Sequence, residues 1–184
     1  MRFTLSSGTL NARLQSLSKV INSKNSIPIL DSFLFEVSNN ELKITASDNE
    51  NVMTSSVTLD QCDGEGSFAV PNRTILDAVK ELPEQPLSFD VDTEALTIKI
   101  LYQNGMYNFT AQNADEYPHT QTVPDSATVI TIESTSLINN ITRSLFATAQ
   151  DELRPVMNGI YFDLTTDYLA IVATDGHKLV RNQN

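Results

Sequence analysis

Apolar and polar residues alternate along the first two thirds of the chain in a pattern that predicts two successive βαβββ units. In the first βαβββ unit, Leu10, Leu14, Leu17 and Ile21 recur at helical spacing after Thr9, a favourable N-cap residue. Runs bounded by Asn, Asp or Gly predict its strands at 3–5, 33–37, 41–47 and 52–59. The second βαβββ unit has a helix at 71–82 and strands at 67–70, 87–91, 96–101 and 106–111. The pattern therefore predicts an α+β protein.

A longer repeat relates the beginning of the chain to its end. Residues 127 positions apart match without a gap in a helical stripe, a proline, strand residues and a turn aspartate: Leu10 with Leu137, Leu14 with Ile141, Pro28 with Pro155, Phe35 with Phe162, Leu42 with Leu169, Ile44 with Ile171, Ala46 with Ala173 and Asp48 with Asp175. Two unrelated αβ segments would share the order of elements but not this frame. The repeat predicts a strand at 130–132 and a helix at 134–150. We expect a complete first domain at 1–126 and, at 127–184, the first half of a second domain.

The charge of the chain is unevenly distributed. Its 12 basic residues are outnumbered by 23 acidic ones, and a net charge of -11 argues against a protein that coats nucleic acid non-specifically. The three helical segments, however, hold six basic residues and only two acidic ones. Arg73 and Lys80 share the helix face opposite the apolar stripe, and Lys19 and Arg143 also lie opposite theirs. Solvation of helix surfaces is the ordinary explanation, but the recurrence in every helix favours a shared positively charged surface.

Composition restricts the class of protein further. Hydrophobic residues make up 40% of the chain and charged residues 19%, which is typical of a folded protein. The single cysteine, Cys62, cannot form an internal disulfide, so we expect a reducing compartment, the cytoplasm. The N-terminus lacks the apolar core of a secretory leader, and no apolar run reaches the roughly 18 residues needed to span a bilayer. No membrane partner is expected.

One short segment has residue types that a catalyst could use. Asp175 and His177 are two residues apart, and a carboxylate beside an imidazole can form a general base. No nucleophile or metal-ligand spacing accompanies them, and Asp48 holds the corresponding place in the first repeat without a histidine. The six glycines form no phosphate-binding loop. We therefore predict a turn aspartate, and no catalytic residue, metal site or cofactor.

Several segments resemble a known family. They are the strand at 3–5, Ile27-Pro28-Ile29-Leu30, Val70-Pro71-Asn72-Arg73, Glu81-Leu82-Pro83, Asp115-Glu116-Tyr117-Pro118, Asn158-Gly159 and Val172-Ala173-Thr174-Asp175-Gly176-His177-Lys178-Leu179. Across the whole chain they are similar to bacterial sliding clamps, the beta subunits of DNA polymerase III. The resemblance implies the DNA-clamp fold, in which repeated βαβββ units place helices on one face of antiparallel sheets. It also implies a non-enzymatic processivity factor whose full-length subunits close into a homodimeric ring around duplex DNA.

The resemblance and the helix geometry assign different DNA-binding residues. Lys24 and Arg73 match family positions that contact the DNA backbone. Lysine at position 24 keeps the charge but lacks the bidentate fork of arginine. Helix geometry alone adds four further basic residues: Arg13, Lys19, Lys80 and Arg143.

Two protein-binding regions also follow from the resemblance. The second-domain part of a pocket that binds a short peptide motif of the replicative polymerase, the clamp loader and repair proteins is matched by Arg154, Met157, Thr174, Gly176, His177, Lys178 and Leu179. The rest of that pocket belongs to a third domain that the chain lacks. The first-domain side of the dimer interface is matched by Leu82, Tyr107 and Phe109, for which core packing is the alternative.

Two other functions stay open on the sequence. An acidic β-rich binding or adhesion module without a DNA role would bury its helices between two sheets, whereas a clamp would expose their basic faces. A hydrolase using Asp175 and His177 would lose turnover when His177 is replaced by alanine, whereas a clamp would lose only partner-peptide binding. Without a third domain, the 184-residue chain is expected to be largely monomeric and not to be retained on circular DNA.

Overall fold

The computed structural model describes residues 1–21, 27–118, 124–151 and 153–183. The chain forms two compact units, Met1–Thr122 and Val123–Asn184. Lys24 and the segment predicted to close the first helix lie outside the described residues. The DNA contact implied for Lys24 therefore stays a prediction.

The first unit contains two antiparallel sheets and two helices. Its strands are β1 Arg2–Ser6, β2 Ser32–Ser38, β3 Glu41–Ser47, β4 Val52–Thr58, β5 Gln61–Asp63, β6 Gly66–Pro71, β7 Pro86–Asp92, β8 Thr97–Tyr102 and β9 Gly105–Thr110, and its helices are α1 Ser7–Leu17 and α2 Asn72–Lys80. One sheet has the order β5-β1-β7-β8-β9 and the other β4-β3-β2-β6. The predicted strands of this unit are all present. The three-residue β5 is additional, because so short a strand shows no recognisable alternation.

Both sheets and both helices contribute to one apolar core. Leu10, Leu14 and Leu17 of α1 are fully buried in it. Phe3 of β1 stacks on Phe89 of β7, with ring centroids 4.7 Å apart. Each helix buries one side in this way, so its opposite side is left for polar residues.

Helix α1 begins earlier than the sequence pattern predicts. Ser6, not Thr9, is the N-cap, because its Oγ accepts a hydrogen bond from the Thr9 N–H at 3.0 Å. The Glu84 carboxylate accepts a second one from the Gly8 N–H, also at 3.0 Å. The helix ends at Leu17, so Ile21, which the sequence pattern places in the helical stripe, lies beyond the helix. A cap supplied from 76 residues away along the chain leaves no local sequence signal.

The second unit contains one helix and one antiparallel sheet. The helix is α3 Ser134–Leu145, and the sheet has the order β10 Tyr161–Leu164, β11 Leu169–Thr174 and β12 Leu179–Gln183. Its strand register repeats that of the first unit at a separation of 127 residues: Phe35 faces Ile44 as Phe162 faces Ile171, and Ala46 faces Met53 as Ala173 faces Val180. The ungapped repeat in the sequence is therefore a repeat of structure.

Two predictions for the second unit are wrong. Residues 130–132 do not form a strand, because the described strands of this unit pair only with one another and leave the segment without a neighbour. Val129, just before it, is 89% exposed. Helix α3 ends at Leu145 rather than at residue 150. Thr148 donates both its N–H, at 3.1 Å, and its hydroxyl, at 2.8 Å, to the Leu145 carbonyl and so satisfies the last turn.

Tyr117 belongs to a second, smaller apolar cluster of the first unit. It is buried there with Ile29, Leu30 and Ala69, and its hydroxyl donates to the Ser32 carbonyl at 3.4 Å. Burial raises the pKa of Tyr117 to about 12. The pKa of an unfolded tyrosine is about 10. Burial of the neutral phenol therefore stabilises the folded unit fully below about pH 10, and this stabilisation is lost as the pH rises towards 12.

We expect the urea midpoint of the first unit to fall between about pH 10 and pH 12. Tyr117→Phe removes the titrating hydroxyl and keeps the ring, so the variant should show a much shallower fall. Circular dichroism at matched urea concentrations measures both proteins. An equally steep fall in the variant would assign the effect to other groups.

Candidate functional site

Helices α1 and α2 lie side by side in the first unit, and a groove runs between them. It has a volume of about 610 Å³ and is lined by Ala12, Gln15, Ser16, Ser18, Lys19, Leu76, Asp77 and Lys80. Lys19 lies in the turn that follows α1, and Lys80 is the last residue of α2. Both lysines are exposed. The groove thus brings basic residues from two helical segments to one surface.

The positive charge of this groove is partly neutralised. Lys80 Nζ lies 2.9 Å from Asp77 Oδ1, and this hydrogen bond raises the pKa of Lys80. Lys19 makes no ion pair with any residue that the structure describes. Ion pairs on the exposed surface are weak, so Lys80 can exchange Asp77 for another anion. The sequence carried a signal for this pair, because Asp77 precedes Lys80 by three residues on a helix.

A second concavity lies at the beginning of α2. Its volume is about 470 Å³, and Arg73 lines it together with Ser18 of the first helical segment. Ser18 lines both concavities, so the two adjoin, and Lys19, Arg73 and Lys80 line them together with the acidic residues Asp31 and Asp77. We call the three basic residues the basic face. The partial positive charge of the α2 N-terminus adds to it.

Two further predicted DNA-binding residues, Arg13 and Arg143, lie elsewhere. Arg13 is exposed on α1 but lines neither concavity. Arg143 is exposed on α3, in the second unit. The structure therefore groups three of the six predicted residues and describes two more as separate exposed cations.

The β11–β12 turn and the strand residues on either side of it hold five of the seven residues of the predicted peptide pocket. Asp175 Oδ1 accepts hydrogen bonds from the N–H groups of His177 and Lys178, both at 2.9 Å, and Oδ2 lies 3.2 Å from Lys178 Nζ. These hydrogen bonds hold the pKa of Asp175 well below its usual range. Thr174 Oγ1 donates to the Lys178 carbonyl at 2.7 Å and accepts from the Gly176 N–H at 3.1 Å. The turn is therefore fixed by its own side chains.

The same geometry makes Asp175 a poor general base. Both carboxylate oxygens are engaged within the turn, and a carboxylate with a lowered pKa takes up a proton weakly at neutral pH. Asp48 makes the corresponding bonds in the first unit, where its Oδ1 accepts from the N–H groups of Glu50 and Asn51. The aspartate is thus a turn residue common to both repeats, as the sequence predicts.

Arg154 is held next to this turn. Its Nε donates to Asp151 Oδ2 at 2.8 Å, and this bond lowers the pKa of Asp151. Asn158 in turn binds both the N–H and the carbonyl of Asp151. Arg154 Nη1 lies 3.2 Å from the place that a Cβ on Gly176 would occupy, and Gly176 has a φ of +90°. Glycine at this position therefore permits the turn and also leaves room for the guanidinium group.

Apolar side chains flank these polar groups. Met157 is half-buried and donates its N–H to the Arg154 carbonyl, whereas Leu179 is 66% exposed. Phe146, directly after α3, is 62% exposed, and Lys178 Nζ lies 5.9 Å from its ring centroid. Phe146 is absent from the pocket that the resemblance implies, although its poor fit to the apolar stripe of α3 was an available signal. We call Arg154, Met157 and residues 174–179 the hairpin surface.

Two of the three residues predicted for the dimer interface lie on the edge strand of the five-stranded sheet. Tyr107 and Phe109 are half-buried on β9, the last strand of that sheet. Their rings stack with centroids 5.9 Å apart, and the Tyr102 ring lies 5.1 Å from that of Tyr107. Leu82, after α2, is also half-buried. All three predicted residues pack against the core, as the alternative of core packing expects. The outer edge of β9 pairs with no described strand.

The described residues contain neither a metal-ion cluster nor a membrane-spanning helix. Among them, no group of three or more His, Cys, Asp or Glu side chains could hold a metal ion. No helix in the described ranges is long and apolar enough to cross a membrane.

Comparison with known proteins identifies both units. The model of the DNA polymerase III beta subunit N-terminal domain matches residues 1–121, and that of the central domain matches residues 131–183. A beta sliding clamp of Pseudomonas putida is 30% identical over 181 residues, and one of Bacillus subtilis is 29% identical over 186. Each alignment covers 97% of this chain, which spans about half the length of these relatives, 48% and 49%.

Solved structures agree with this result. A sliding clamp from Pseudomonas aeruginosa bound to griselimycin superposes with a TM-score of 0.91 at 26% identity, over 100% of this chain and 49% of that one. The clamp from Bacillus subtilis gives a TM-score of 0.89 at 26% identity, over 100% and 50%. The repeated units and their sheets thus define the sliding-clamp fold. The chain belongs to the DNA polymerase III beta subunit family.

Proposed function

We propose that the chain is the N-terminal part of a processivity clamp, which encircles duplex DNA and tethers the replicative polymerase to it. The observation that carries this proposal is the basic face, which is exposed on the helices of a unit that belongs to the clamp family. Enclosure needs no tight or sequence-specific contact. A mildly basic helical face on a protein with a net charge of -11 suits sliding on the phosphate backbone.

The hairpin surface is proposed to bind the short peptide motif of the polymerase, the clamp loader and repair proteins. It combines a fixed guanidinium group, Arg154, with exposed apolar side chains such as Leu179. An apolar patch with a few oriented polar groups is typical of a peptide-binding site. The griselimycin complex of the Pseudomonas aeruginosa clamp supplies a probe for it.

The edge of β9 is proposed to be the first-domain side of a subunit contact in the full-length homodimer. An uncovered strand edge offers backbone hydrogen-bonding groups to another strand. Tyr107 and Phe109 stiffen this strand by stacking on each other. The proposed role places the protein with the chromosome in the cytoplasm, and it involves no membrane.

We further propose that the chain has no catalytic activity and needs no cofactor. The engagement of Asp175 within its turn supports this over the hydrolase alternative. The exposure of Arg13, Lys19, Arg73 and Lys80 supports a clamp over an adhesion module, since such a module would bury its helices between sheets.

Topological retention on DNA tests the clamp proposal. In a chimera, the 184-residue chain is followed by the part of the Pseudomonas putida clamp beyond the matched region. After loading, the folded chimera should stay on nicked circular DNA and leave once the circle is linearised. The 184-residue chain alone should stay on neither. Equal release of a folded chimera from circular and linear DNA would contradict enclosure.

Gly176→Ala is expected to weaken griselimycin binding by the chimera by about tenfold. The added Cβ lies 3.2 Å from Arg154 Nη1 and displaces the guanidinium group. The φ of +90° also costs about 1–2 kcal/mol for a non-glycine residue. Calorimetric titration measures the binding.

Gly64→Ala is the matched control for this change. Gly64 has a φ of +92°, and its added Cβ would lie 3.2 Å from the Met1 Cβ, in the first unit. Backbone strain should therefore be similar, while griselimycin binding should be unchanged. Equal losses in both variants would show that general destabilisation, not Arg154, lowers the affinity.

A further inference from the structure

The β8–β9 hairpin contains an Asn–Gly step that the proposed function does not use. Tyr102 faces Gly105 across the hairpin, so Asn104 lies at its tip, and both Asn104 and Gly105 are exposed. A Cβ on Gly105 would lie 2.8 Å from the Tyr102 hydroxyl oxygen. A larger residue at 105 would therefore displace Tyr102 from its contact with Tyr107. Packing of the tyrosines favours glycine directly after Asn104.

We propose that Asn104 is a site of spontaneous deamidation in the folded protein. The backbone nitrogen of Gly105 attacks Cγ of Asn104. The new N–Cγ bond forms as the Cγ–Nδ2 bond breaks, and the proton from the Gly105 nitrogen leaves with Nδ2 as ammonia. Water then opens the cyclic imide at either carbonyl to give aspartate or isoaspartate. The missing side chain at Gly105 leaves the approach to its nitrogen open, and the attack needs only a local opening of the pair that Gly105 forms with Tyr102 at the start of β9.

A second Asn–Gly step in the chain provides an internal comparison. Asn158 Oδ1 accepts from the Asp151 N–H at 3.0 Å, and its Nδ2 donates to the Asp151 carbonyl at 3.2 Å. Both bonds must break before the Gly159 nitrogen can reach Cγ. The Asn104 side chain makes no hydrogen bond with any described residue. Two ordinary hydrogen bonds correspond to a difference of at least roughly tenfold in the population that can react.

The products would alter the hairpin. Aspartate adds a negative charge at its tip, and isoaspartate adds a methylene group to the main chain next to the pair formed by Tyr102 and Gly105. Strand β9 begins at Gly105, so its register against β8 depends on this turn. An effect on subunit contact rests on the proposed function, whereas the deamidation itself does not.

Peptide mapping by mass spectrometry tests the proposal on the intact chain incubated at mildly alkaline pH. The peptide that contains Asn104 should gain one dalton at least about tenfold faster than the peptide that contains Asn158. In urea, where only local sequence acts, the two rates should converge. Asn104→Gln should abolish the gain in the first peptide and leave the rate at Asn158 unchanged. An Asn104 rate no higher than that of Asn158 in the folded chain would overturn the proposal.

Discussion

Replacing both Lys19 and Arg73 with glutamate is expected to lower the affinity of the chain for a short DNA duplex by roughly tenfold to a hundredfold at low salt. The two side chains line adjoining concavities that share Ser18, and both are exposed. The change removes the two proposed phosphate contacts and makes the same surface repel the DNA backbone. Fluorescence anisotropy with a labelled duplex measures the affinity. The slope of log K against log salt should become shallower by about 2.

Lys43→Glu combined with Lys99→Glu is the matched control. These lysines are exposed on β3 and β8 of the same unit, and the double change alters the net charge by the same amount. The control should lose several-fold less affinity, because these positions lie on strands rather than on the helices of the basic face. Equal losses of affinity in the two double variants would mean that the total charge of the chain, and not the basic face, determines DNA binding. A second duplex of unrelated sequence should give the same affinities.

The arrangement of the basic face was predictable only in part. Helical periodicity determines which side chains turn away from the core, so the exposure of Arg73 and Lys80 follows from the positions of buried Ile75 and Val79. The meeting of two helices around Ser18 does not follow, because it depends on how both pack on the sheets. The neutral groove residues Gln15 and Ser16 have no sequence signal either, because polar residues are common on any exposed helix face.

The hairpin surface illustrates a different limit. The internal repeat identified the turn aspartate, because Asp48 and Asp175 lie 127 residues apart in equal turns. The repeat says nothing about Arg154, whose position against Gly176 depends on Asp151 and Asn158. The first repeat has Lys24 and Ile27 in the places of Asp151 and Arg154. Symmetry in sequence thus predicts shared backbone structure, whereas the features that distinguish the copies come from side chains outside the match.

Phe3→Ala is expected to destabilise the first unit by about 3–5 kcal/mol. Phe3 is 1% exposed, and its ring stacks on Phe89 at 4.7 Å and lies 6.5 Å from that of Phe68. Its strand is paired on both sides, with β5 and β7, so the surroundings cannot collapse easily into the cavity. The midpoint of thermal unfolding of this unit should fall by about 10–20 °C in differential scanning calorimetry.

Ile130→Ala is the control, because Ile130 occupies the place of Phe3 in the 127-residue repeat. Ile130 is 50% exposed and lies in no strand, so its truncation should change the free energy of unfolding by no more than about 0.5 kcal/mol. The two positions have the same apolar pattern in the sequence, and they differ only in whether strands flank them. A loss of stability at Ile130 as large as that at Phe3 would mean that residues 130–132 are packed in solution.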